Sequence, residues 1–96
     1  MQNRKDQKRI TLVVIAKNEE TNIVDCLFSW AELGPAFVVV DVLSDDSTAE
    51  LAAQMNAKVV KRKFDNFSKQ KNFGISLATT DWVFVLDADE RLSPEL

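Results

Sequence analysis

An α/β domain with a four-stranded parallel sheet, in the order β-α-β-α-β-α-β, is the fold class that this 96-residue sequence predicts. Three observations carry it. Short β-branched runs recur along the chain, segments with apolar residues at three- and four-residue spacing separate them, and the connections between them are short. Such alternation argues for parallel strands joined by right-handed crossovers whose helices cover the sheet.

Each element has its own warrant. "ITLVVIA" (Ile10–Ala16) is a continuous β-branched run, the pattern of a strand buried on both faces. Ile23, Leu27, Trp30 and Ala31 then form a helical stripe with Asp25 and Glu32 off it, and Gly34-Pro35 ends the helix. "AFVVVDVL" (Ala36–Leu43) is the second strand. Ser47 followed by Glu50 reads as a capping box opening a helix with Leu51, Ala52 and Met55 on its apolar side. "AKVVKRKF" (Ala57–Phe64) is a third strand whose polar end places it near a sheet edge. Ser68 opens a third helix, with Phe73 and Leu77 on one face, and "WVFVL" (Trp82–Leu86) is the fourth strand. Gly74 inside that third helix costs about 1 kcal/mol relative to Ala. A close approach to a strand or ligand would justify it, and so would a kink near the helix end.

Composition narrows the class. At 46% hydrophobic residues the chain suits one small domain with a modest core, residues 10–96, behind a basic tail at residues 1–9. No apolar run approaches the ~18 residues of a membrane span. Cys26 is the sole cysteine and histidine is absent, so these residues hold no intrachain disulfide, no cysteine-cluster zinc site and no histidine chemistry. A cytoplasmic location follows as the plain expectation. The net charge of −3 is uneven: Arg4, Lys5, Lys8 and Arg9 oppose only Asp6, and Lys61, Arg62, Lys63, Lys69 and Lys71 oppose only Asp65. The tail is either simply solvated or a peripheral hold on anionic lipid, at roughly 1 kcal/mol per basic residue near the surface. The acidic body of the chain argues against nucleic acid.

In open parallel sheets ligands bind outside the carboxyl ends of strands, where the strand order reverses. The first strand delivers "KNEE" (Lys17–Glu20) to that rim, the second Asp41, and the fourth Asp87 and Asp89. Crowded carboxylates are unfavourable unless a cation or ligand donors compensate them. Asp87 and Asp89 project to one side if the extended backbone persists, with the small Ala88 between them. Two hard oxygen ligands suit Mg²⁺ or Mn²⁺, which complete their shell with phosphate and water. A bare D-x-D also arises as a turn or a helix cap, Asp41 suits a turn, and Glu19 suits a helix N-terminus. Lys71 could face an anionic ligand or only solvent.

Taken together, these segments resemble the N-terminal half of a family 2 glycosyltransferase with the Rossmann-like GT-A fold. "TLVVIAKNEETNI" resembles the family's opening strand and turn, and "VVVDVLSDDST" its second strand and helix start. "FDNFSKQKNFGISLATTDWVFVLDADER" resembles most the bacterial branch that adds glucose to the inner core of lipopolysaccharide. The resemblance implies a UDP-sugar donor, inversion at the anomeric carbon and a divalent metal. It puts Ala16 and Glu19 beside the nucleotide, Asp41 at the uridine, Lys71 near the base, Asp87 by the ribose or metal, and Asp89 as principal metal ligand. Val42 and Leu43 depart from the Ser-Gly or Asp-Gly common in relatives, and Asp45-Asp46-Ser47-Thr48 from Thr-Asp-Gly-Thr.

The resemblance also implies that the acceptor site and the general base lie beyond Leu96. The expectation is therefore a donor-site half, truncated after D-x-D and with little turnover alone, meeting its glycan or lipid-linked acceptor through residues not present. Unpaired sheet edges add an expectation of self-association. A phosphotransferase of the haloacid dehalogenase type, with Asp87 as nucleophile, is the enzymatic rival, although in that family most of the domain follows the motif. The same acidic strand ends would also suit a receiver-like signalling domain, or a nucleotide-binding remnant without catalysis.

Overall fold

A computed structural model describes residues 10–30 and 33–91. The elements follow in order: β1 (Ile10–Ala16), α1 (Ile23–Trp30), β2 (Ala36–Val40), α2 (Thr48–Gln54), β3 (Lys58–Lys61), α3 (Phe67–Ser76) and β4 (Trp82–Asp87). The strands form one sheet in the order β3-β2-β1-β4, and every neighbouring pair is parallel. This is the architecture expected of the sequence. The basic tail, Ala31 and Glu32 lie outside the described residues.

The β-branched run of β1 occupies the centre of the sheet because both its faces can be covered. Leu12, Val14 and Ala16 pack with Ile23, Cys26, Leu27 and Trp30 of α1 and Ala52 of α2. Val13 and Ile15 face the other way, with Val39 of β2 and with Phe73 and Leu77 at α3. One handedness of crossover explains this division. The connections from β1 to β2 and from β2 to β3 step the same way along the sheet, and α1 and α2 share a face. The β3-to-β4 connection runs back across the sheet, so α3 must lie on the opposite face.

Gly74 of α3 resolves in favour of close packing. A Cβ there would stand 2.4 Å from Val13 Cγ1 and 3.3 Å from Val39 Cγ2, so only glycine lets this helix settle on the strands. At the other end of the sheet, Trp30 Nε1 donates to Gly34 O (3.0 Å) while its ring stacks on Phe84 at 6.0 Å.

Several boundaries differ from expectation, each for a local reason. β2 stops at Val40 rather than Leu43 because the Asp41 carboxylate accepts from Leu43 N (3.1 Å) and Asp41 O from Ser44 N (2.9 Å), which closes a turn. β3 is confined to Lys58–Lys61 and does lie at the edge. Asn66, not Ser68, caps α3, its side chain accepting from Lys69 N (2.8 Å). The Ser47–Glu50 capping box does not form: Ser47 makes no side-chain cap bond, and its N–H donates to Glu20 Oε1 (2.9 Å). Asp46 takes over the capping by accepting from Thr48 N (3.0 Å). Among the described residues no helix is long and apolar enough to cross a membrane.

Candidate functional site

Strand register levels the carboxyl rim of the sheet. Ala16 pairs with Val40, and Ile15 with Asp87, so β1, β2 and β4 end side by side. The strand order reverses at β1 and β4, and a cleft of about 410 Å³ opens there, lined by Ile15, Ala16, Lys17, Glu19, Asp41, Phe64, Phe67, Gln70, Asp87, Ala88 and Asp89. The rim expected from the sequence is thus one cleft, with Ala16, Glu19, Asp41, Asp87 and Asp89 all on its wall. Lys71 is not. On α3 the neighbouring Gln70 is fully buried toward the sheet, and a helix turns its next residue about 100° away.

The acidic residues differ in their engagement. Asp41 is buried, its Oδ1 accepting from Leu43 N and, at 3.5 Å, from Phe64 N, with Lys17 Nζ 3.9 Å from Oδ2. It is therefore both a turn former and a cleft residue. Val42 and Leu43 cause no strain, since among the described non-glycine residues only Asn18 and Asn56 take positive φ. Glu19 is half-buried, its Oε1 accepting from Asn22 Nδ2 (3.0 Å) at the approach to α1.

Extended backbone does not persist through the D-x-D segment. β4 ends at Asp87, where Glu90 N donates to Asp87 O (2.9 Å) and Asp87 N to Glu90 Oε1 (2.7 Å). Asp87 and Asp89 reach the same cleft through this turn, not through strand alternation. Ala88 between them is buried, where a larger side chain would crowd the turn. Asp87 is half-buried and Asp89 exposed, and among the described residues neither carboxylate is engaged by a hydrogen bond or ion pair. Two free hard-oxygen groups in one cleft fit a divalent cation of the Mg²⁺ or Mn²⁺ type. Among the described residues no group of three acidic, Cys or His side chains is placed to hold a metal ion by itself, so such a cation would draw the rest of its shell from phosphate and water.

Behind the rim the two loops that carry it are tied together. Asn18, at φ 53°, accepts from Asp45 N (2.9 Å), and its own N–H donates to Ser44 Oγ (3.0 Å). Glu19 N donates to Thr48 Oγ1 (2.8 Å), whose hydroxyl donates to Asp46, and Asp46 Oδ2 accepts from Glu20 N (3.2 Å). Sequence reasoning found the "KNEE" and "SDDST" segments separately and missed their union. It also missed Phe64, Phe67 and Gln70 on the cleft wall; the signal available was a pair of aromatic residues inside a polar segment after a strand.

The model of glycosyl transferase family 2 matches residues 11–96. The chain belongs to that family. Family 2 membership replaces the phosphotransferase and receiver readings of the same acidic rim. The chain is 38% identical over 89 residues to an uncharacterized glycosyltransferase of Rickettsia typhi, covering 93% of this chain and 30% of that protein. It is 35% identical over 85 residues to a TPR repeat-containing protein of Synechococcus elongatus, 88% of this chain and 21% of the relative. It is 33% identical over 94 residues to the glycosyltransferase SunS encoded by the SPbeta prophage of Bacillus subtilis, 94% of this chain and 22% of the relative. The chain thus spans less than a third of the length of these relatives.

Proposed function

We propose that this chain is the donor-binding half of an inverting, metal-dependent glycosyltransferase that presents a UDP-sugar to a glycan or lipid-linked acceptor. The observation that carries the reading is the convergence of Asp41, Asp87 and Asp89 on one cleft where the strand order reverses. Asp89, exposed and unengaged, and Asp87 beside it would hold Mn²⁺ or Mg²⁺. When bound, the ion would act as a Lewis acid toward the departing diphosphate, stabilising its growing negative charge by several kcal/mol.

The chain's own residues bind and orient. Ala16 and Glu19 border the nucleotide at the middle of the rim. Asp41, held by Leu43 N on one oxygen, keeps the other toward Lys17 and the uracil. Glu90 fixes the turn that sets Asp87 and Asp89 side by side. An inverting transfer needs a base for the acceptor hydroxyl, a role assigned to none of the described residues. The likeness of "FDNFSKQKNFGISLATTDWVFVLDADER" to enzymes of the lipopolysaccharide inner core favours glucose as the sugar and a lipopolysaccharide core as acceptor. Work at that acceptor suits a cytoplasmic protein whose basic tail contacts the inner face of the membrane. Self-association would use β4, an edge strand that begins with the exposed Trp82, because Lys58 and Lys61 blunt the β3 edge.

Calorimetric titration with UDP tests the donor site. Binding that needs Mn²⁺ and disappears in Asp89→Ala is expected. A wild-type chain that takes up no UDP with Mn²⁺ present, as a non-binding remnant would not, refutes the reading.

A further inference from the structure

We propose that Phe64 and Phe67 form the wall against which the nucleobase of the bound nucleoside diphosphate stacks, a role that rests on the donor-site reading above. Both residues line the cleft, and both are exposed, at 38% and 60% of their surface. Exposed aromatic rings add little to a core. Phe28 and Trp82 are also exposed, but they stand away from the cleft. The Phe64 and Phe67 rings meet edge to face, 5.3 Å apart at 79°, which fixes each ring against the other.

The segment bearing them is anchored to buried groups. Phe64 N points to the Asp41 carboxylate, and the Asn66 side chain caps the helix that Phe67 opens. Arg62 donates to Asp65 (3.0 Å) and to Gln70 Oε1 (2.7 Å), and Gln70 Nε2 donates back to Arg62 O (3.2 Å). The wall is therefore in place before a ligand arrives, which lowers the ordering cost of binding. The same bonds occupy Gln70 and one oxygen of Asp41, so this end of the cleft has few polar groups left for a base and a broad apolar surface instead.

Distance along the rim fits the assignment. β3 and β4 are the outer strands, three spacings apart, or about 14 Å at about 4.8 Å each. The aromatic pair follows β3 and the free carboxylates follow β4, with Ala16, Lys17 and Asp41 between. A ligand that spans this rim has a flat apolar group at one end and a cation-bound anion at the other, which is the constitution of a nucleoside diphosphate.

The test compares two probes, each with Mn²⁺, UDP and inorganic pyrophosphate, on the wild-type chain and on Phe67→Ala, Phe64→Ala and Asp89→Ala, with circular dichroism to verify folding. Base–aromatic stacking predicts that Phe67→Ala weakens UDP binding about tenfold and leaves pyrophosphate binding unchanged, while Asp89→Ala weakens both. Proton NMR of bound UDP should show the uracil H5 and H6 resonances shifted upfield by the rings, and the shift should shrink in either Phe variant. Unchanged UDP affinity in both Phe variants, with no ring-current shift in the wild type, overturns the stacking role while the donor site stands. Failure of the donor site has a different signature: no Mn²⁺-dependent binding of either probe to the wild-type chain.

Discussion

The carboxylate of Asp46 lies between two backbone segments that are remote in sequence, and its bonds tie the two loops of the rim together. Burial pushes its pKa up, but donation from Thr48, Glu20 and Ser44 outweighs that and holds it below the usual carboxylate range. The tie is thus present at neutral pH and lost as acid protonates the group. Asp65, on the surface, is held down at about 2, chiefly by its hydrogen bond from Arg62. Cys26 behaves oppositely. Buried between α1 and β4, with its thiol toward Asp87 O (3.9 Å), it has its pKa pushed by burial from 9.0 to about 11. A raised thiol pKa means that the unfolded chain ionises first, so the stability from the neutral thiol is complete below pH 9 and falls away as pH climbs toward 11. Urea midpoints should show the wild type losing about 2 kcal/mol more than Cys26→Ala across that interval. Parallel loss in both proteins would show that the thiol ionises freely in the folded state.

At the scale of elements, the strands were legible because β-branched runs have few other uses, and the order of helices and strands then dictated a parallel sheet. Element ends were less legible because side chains set them. Asp41 stops β2, Asn66 starts α3 and Asp46 displaces Ser47 as the cap of α2, and each choice depends on which polar group wins a local competition for backbone N–H groups. Gly74 shows the same limit, because its two explanations differ only in what stands opposite the helix. Gly74→Ala should destabilise the chain by about 1–3 kcal/mol, although alanine is the better helix former by about 1 kcal/mol. The reason is that the new Cβ meets the buried and stiff Val13 side chain. Chemical denaturation measures the sign directly, and a stabilised variant would mean that α3 does not rest on Val13.

At the scale of the whole molecule, the acidic rim was readable once strand ends were known, since a parallel sheet delivers them to one edge. Lys71 is absent from the cleft wall because helix phase, not sequence proximity, decides which residue of α3 faces the cleft. The aromatic wall was hidden for a related reason: Phe64 and Phe67 reach the cleft only because β3 is short and its connection folds over Asp41. What remains is a division of labour across the sheet, with apolar surface at the β3 end and free carboxylates at the β4 end. That division is the central claim. Anomalous diffraction at the manganese edge from a crystal soaked with Mn²⁺ and UDP addresses it directly. The account predicts one peak within bonding distance of an Asp89 oxygen and of the diphosphate, with the uracil at the Phe64–Phe67 end. A peak elsewhere, or Asp89 turned out of the cleft with the nucleotide bound, would contradict it.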